Sequence, residues 1–63
     1  MFYAIQVIGY GQRRRYVIQQ VTPGHGTNPT NGRSYKTEEQ AREAAAALGY
    51  EVKACGDYWE IIA

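Results

Sequence analysis

Sixty-three residues make one domain, and a chain of this length buries only about 60% of the surface it exposes when unfolded. Seven Lys and Arg against six Asp and Glu leave a net charge of +1, far from the basic excess of an ordinary nucleic-acid binder. One cysteine and one histidine exclude an internal disulfide and a four-ligand structural zinc site, so no metal or other cofactor is expected.

Phe2–Ile8 and Tyr16–Val21 are rich in aromatic and β-branched residues, and Gly9-Tyr10-Gly11-Gln12 lies between them. That pattern predicts a β-hairpin over residues 2–21. A two-residue turn at Gly11-Gln12 would pair Val7 with Tyr16 and Ile5 with Ile18. Side chains alternate along a strand, so Tyr3, Ile5, Val7, Tyr16 and Ile18 then share one face and Phe2, Ile8, Arg15, Val17 and Val21 the other. Both faces carry apolar residues, which is unusual for a sheet with one wet side.

Thr22–Ser34 has no periodicity and reads as a long loop, a rarity in so small a domain and usually functional or disordered. Its three glycines lack the Gly-Lys-Ser/Thr ending of a phosphate-binding loop. His25, between two glycines, has no acid within twelve residues to orient it and reads as a solvated loop residue.

Thr37-Glu38-Glu39-Gln40 is a capping box, in which the threonine hydroxyl and the glutamine side chain satisfy backbone N–H groups at a helix start. Alanine-rich sequence to Leu48 and then Gly49 predict a helix over 37–48, with Ala41, Ala44, Ala45 and Leu48 as its apolar stripe. Residues 50–62 read as a second hairpin turning at Gly56-Asp57. Val52, Ala54, Trp59 and Ile61 would form its core face and Lys53 would pair with Glu60 on the outer one. The expected fold is a single ββαββ α+β domain, with a four-stranded antiparallel or mixed sheet and one helix packed on one face.

The sharpest functional signal is Arg13-Arg14-Arg15 at the first hairpin's tip, flanked by Tyr10 and Tyr16. Guanidinium groups fit carboxylates and phosphates, and tyrosines stack on bases or on arginine planes. Six tyrosines, Phe2 and Trp59 in so short a chain also match the composition of contact surfaces, where Tyr and Arg are enriched. The candidate binding residues are Tyr10, Arg13, Arg14, Arg15, Tyr16, Arg33 and Tyr58. No catalytic group is assigned: Cys55 and His25 would need the loop to fold across the sheet to meet.

These residues imply a non-enzymatic module with a protein partner, the alternative being a nucleic-acid binder using the same arginines on phosphates. A core of this size rarely supplies more than ~3–5 kcal/mol, so association, a homodimer included, is a further source of stability. The lone thiol suits a reducing cytoplasm. No apolar run reaches the roughly 18–20 residues that span a bilayer, and Phe2 already reads as strand rather than leader, so no membrane contact is expected.

The stretch from Ser34 through Thr37-Glu38-Glu39-Gln40 to Leu48-Gly49-Tyr50-Glu51-Val52 resembles the helix-then-strand unit of many small bacterial and phage domains, including half of a peptidoglycan-binding SPOR repeat. SPOR domains carry two helices, and the first hairpin here lacks one. In size, compactness and lack of catalytic residues the whole chain is similar to phage-encoded inhibitors of host defence such as anti-CRISPR proteins. Those share no motif, so the resemblance implies steric inhibition of a larger host complex and assigns no residue.

Overall fold

The computed structural model describes residues 1–62. Strands β1 (Phe2–Ile8), β2 (Arg15–Thr22), β3 (Gly26–Pro29) and β4 (Val52–Gly56) form one mixed sheet in the order β3-β2-β1-β4. Helix α1 (Glu38–Ala47) packs on it, and a short helix α2 (Tyr58–Ile62) follows β4. The α+β class, the four-stranded sheet and the packed helix agree with the sequence; one strand and the second helix do not.

β1 and β2 pair antiparallel in the expected register, Ile5 with Ile18 and Val7 with Tyr16. Pairing stops at Ile8–Arg15, so the connection runs from Gly9 to Arg14 around a 3-10 turn at Gly11–Arg13 instead of a two-residue turn. The register survives because both turns are centred on the same peptide. Gly9 holds φ +74°, and a Cβ there would sit 3.0 Å from the Arg13 carbonyl oxygen.

The expected structureless loop at Thr22–Ser34 contains a short strand. Thr22-Pro23-Gly24-His25 forms a turn in which the His25 N–H donates to the Thr22 carbonyl at 2.8 Å, with Gly24 at φ +83°. Proline first and a positive-φ glycine second are what a type II turn requires. The chain then returns as β3 along β2, Thr22 opposite Gly26 and Gln19 opposite Pro29. Pro29 costs no ladder bond there because β3 is an edge strand. Tyr35 extends the pairing with two backbone bonds to Tyr16.

α1 starts and stops as its sequence dictates. The Gln40 N–H donates to the Thr37 hydroxyl at 3.1 Å, and the Gln40 side chain accepts from Lys36 rather than from Thr37 itself. At the other end Gly49 takes φ +80°, its N–H donates to Ala46, and Tyr50 reaches back to Ala45 at 2.8 Å. That pair of bonds is a Schellman motif.

The second hairpin is absent. β4 pairs parallel with β1, with a bulge beside Lys53, and Tyr58–Ile62 is a helix, not a returning strand. Asp57-Tyr58-Trp59-Glu60 is itself a capping sequence: the Glu60 and Ile61 N–H groups donate to the Asp57 carbonyl, and the Glu60 carboxylate accepts from the Asp57 N–H. Helix geometry also separates residues that a strand would have put together. Ile61 turns inward and is buried, whereas Trp59, two residues earlier, is 76% exposed and is not the expected core residue. The Lys53–Glu60 pair fails for the same reason, and Lys53 instead meets Glu51 at 3.1 Å.

Adjacent residues Ala4 and Ile5 point to opposite faces, and both are 0% exposed. Both faces of the sheet therefore bury residues, which accounts for apolar residues on each. On one side Ile5 and Ile18 lie under Ala41 and Ala45 of α1, which are likewise buried, while Leu48 lies at the margin, largely exposed. On the other side Ile61 of α2 closes on Ala4 and Val21, with Phe2, Ala54 and Ile62 around them. Among the described residues no helix is long and apolar enough to cross a membrane.

Candidate functional site

The three arginines at the hairpin tip do not act as one cluster. Arg13 closes the 3-10 turn, its N–H donating to the Tyr10 carbonyl at 3.3 Å, and Arg14 caps that turn by donating to the Gly11 carbonyl. Both side chains are exposed, and among the described residues neither guanidinium has a hydrogen-bonding or acidic partner. Arg15 belongs to β2 and is spoken for: its Nε and a terminal nitrogen both donate to the Ser34 hydroxyl, at 3.1 and 2.9 Å. Tyr10 stands 86% exposed beside the free pair. Tyr16 is half-buried in the sheet and bonded through its backbone to Tyr35. The tip thus brings together exposed Tyr10, Arg13 and Arg14, while Arg15 bonds Ser34 and Tyr16 pairs with Tyr35.

Tyr58 and Arg33 lie elsewhere. Tyr58 is half-buried at the start of α2, its hydroxyl close to Gly26 of β3 and its ring edge-on to Trp59 at 5.2 Å between centroids. Arg33 is exposed in the segment between β3 and α1, beside a cavity against the C-terminal half of the helix.

Trp59, expected in the core, is exposed instead, which makes it a candidate contact residue that the strand pattern did not suggest. The signal was available in the Asp57–Glu60 capping pattern, because a helix starting there puts Trp59 and Ile61 on different sides. α2 covers only the Ala4–Val21 end of its sheet face. The other end of that face carries Gln6, Ile8, Arg15 and Val17, with Ile8 exposed and Val17 half-exposed. Gln19, on the same face, is 6% exposed; its amide nitrogen donates to Gln6 at 2.8 Å, and its oxygen is buried without a partner.

His25 and Cys55 occupy opposite sides of the sheet order, one at the β2–β3 turn and the other on β4. The Cys55 thiol faces α1 and donates to the Glu38 carboxylate at 3.3 Å, while the other oxygen of that carboxylate holds Arg42 at 2.7 Å. Burial, followed by the facing carboxylate, pushes the thiol above its ordinary value. The Arg42 hydrogen bond, seconded by the thiol, holds Glu38 below the usual carboxylate range. This arrangement stabilises a neutral thiol and an ionised acid, the opposite of a nucleophile-activating pair. Among the described residues no three of His, Cys, Asp and Glu gather into a metal-ligand group.

Comparison with protein-family models, with characterised proteins and with solved structures finds no match for this chain.

Proposed function

We propose that this chain is a non-enzymatic protein-binding module, acting in the cytoplasm and inhibiting a larger host complex by occupying its surface. The observation that carries this reading is Trp59, 76% exposed on a helix whose neighbouring Ile61 is fully buried. A large aromatic held outward on a rigid element is the residue type that dominates binding energy at protein interfaces. Ile8 and Val17, at the other end of the sheet face that Ile61 packs on, add exposed apolar area. Arg13 and Arg14 supply a cationic rim, which favours an acidic patch on the partner.

The free guanidinium pair beside exposed Tyr10 also favours a second reading, in which the tip grips nucleic-acid phosphates. Two free arginines limit that mode. At ~0.9 per phosphate contact on duplex DNA they give a salt slope near −2, well short of proteins making six to ten such contacts.

Matched affinity captures with the wild type, Trp59→Ala and Arg13→Ala/Arg14→Ala test the proposal. A protein retained by the wild type and lost by Trp59→Ala is then purified and its binding reconstituted by calorimetry. Titration of duplex DNA and of RNA from 50 to 200 mM salt runs beside it. Reconstituted binding that depends on Trp59, with insignificant nucleic-acid affinity, supports the protein-binding reading. Tight, steeply salt-dependent nucleic-acid binding unaffected by Trp59→Ala overturns it.

A further inference from the structure

A cavity of about 490 Å³ opens between the segment that follows β3 and the C-terminal half of α1, lined by Asn31, Arg33, Tyr35, Ala44, Ala47 and Leu48. It lies on the α1 side of the sheet, away from Trp59, and its size falls within the range of small-ligand sites. Its two walls differ in chemistry. Ala44, Ala47 and Leu48 form an aliphatic wall, and Leu48 remains largely exposed although it ends the helix's apolar stripe. The facing wall is polar, formed by Asn31, Arg33 and Tyr35.

Asn31 ties this wall together. The Asn31 side-chain oxygen accepts from the Arg33 N–H at 3.1 Å, which sets the backbone that carries Arg33. The Asn31 amide donates to the Tyr35 hydroxyl at 3.2 Å, so this hydroxyl is used as an acceptor and keeps its own proton to give away. Tyr35 is further anchored by its two backbone bonds to Tyr16. Among the described residues the Arg33 guanidinium has no acceptor and no acidic partner.

We infer that this cavity binds the C-terminal carboxylate of a peptide ending in an aliphatic residue. One guanidinium and one phenolic proton match a single carboxylate, and charge-assisted bonds of this kind are the strong ones. The terminal side chain, one carbon away from that carboxylate, is placed to cover the Ala44–Ala47–Leu48 wall. A doubly charged phosphate fits less well, because only one cation lines the cavity and the negative C-terminal end of the helix, which opposes any anion there, opposes a double charge more than a single one. The site is separate from the surface built on Trp59, and the two stand or fall independently.

The test is an NMR titration of the isotopically labelled protein with acetyl-Ala-Ala-Leu as the free acid and as the C-terminal amide. The acid should shift the amide signals of Asn31–Tyr35 and Ala44–Leu48 saturably. The amide should bind at least about tenfold more weakly, the scale of one lost charge-assisted bond. Arg33→Gln, a change at an exposed side chain without partners, should cost the acid a similar factor and leave the amide unchanged. Tyr35→Phe should cost less while keeping the backbone bridge to Tyr16. Equal binding of acid and amide, shifts that map elsewhere, or no shifts up to about 10 mM acid would each overturn the inference.

Discussion

Replacing Ile61 and Trp59 separately by alanine should produce opposite outcomes, although the residues are two apart. Ile61 is buried against Ala4 and Val21, and Ile61→Ala removes three carbons at ~0.8 kcal/mol each, about 2.4 kcal/mol before any cavity is counted. The sheet behind it is rigid, so the hole closes only in part, and the total should fall within the ~2–5 kcal/mol seen for such truncations. A 63-residue domain has roughly 3–9 kcal/mol of stability at ordinary per-residue values. Ile61→Ala should therefore remove about a quarter of it or more. Trp59→Ala deletes a larger side chain but mostly exposed area, plus one edge contact with Tyr58, and should cost at most about 1 kcal/mol. Urea unfolding followed by far-UV circular dichroism reads both as midpoint shifts at constant slope. A Trp59→Ala loss equal to or larger than that of Ile61→Ala would refute the helical placement of this segment and restore the returning strand.

Gly56→Ala should destabilise by about 1–3 kcal/mol in the same assay, because Gly56 holds φ +154° and an added Cβ would collide with the Glu60 side chain that caps α2; an unchanged midpoint would contradict that cap. Gln19→Met should raise stability by about 1 kcal/mol, since it removes a buried oxygen without a partner while half-exposed Gln6 can turn to water. A clear loss would mean that the oxygen is satisfied in solution. Cys55 should react with iodoacetamide at pH 8 more slowly than a small free thiol, because its raised pKa leaves less thiolate at that pH, and unfolding should abolish the difference. Faster reaction in the folded protein would invert the charge logic of the Cys55–Glu38 contact.

How much of this was legible in the sequence follows the reach of each interaction. The Ile5–Ile18 register could be read because alternation and a local glycine-rich turn fix it together. The bounds of α1 could be read because Thr37, Gln40 and Gly49 act within one helical turn. Two local signals were outweighed. Pro23-Gly24 specifies a type II turn, yet Gly26–Pro29 has no hydrophobic alternation to mark a strand, and β3 exists through its pairing with β2. In Tyr58–Ile62 the aromatic and β-branched content argues for strand, while Asp57 and Glu60 argue for helix. Capping won, and the helical turn it starts carries Ile61 onto Ala4 and Val21. The arginine tip was visible as a cluster, but Arg15's engagement with Ser34 depends on a contact nineteen residues away.

The short second helix ties the proposed partner surface to folding in a way that can be dissected. α2 (Tyr58–Ile62) buries Ile61 over the Ala4–Val21 end of the sheet face. Among the described residues Gln6, Ile8 and Val17 on that face are less than fully covered, and Trp59 has Tyr58 as its aromatic neighbour. Loss of Ile61 should then weaken any partner through unfolding, and the defect should recover under stabilising conditions such as added sulfate, which strengthens apolar burial. Loss of Trp59 should weaken the partner directly, in a protein that still unfolds cooperatively near the wild-type midpoint, and sulfate should not restore it. A Trp59→Ala binding defect repaired by sulfate would assign the tryptophan to stability rather than to contact. The hairpin tip would then be the remaining anchor for a partner, with Arg13 and Arg14 as the groups to remove next.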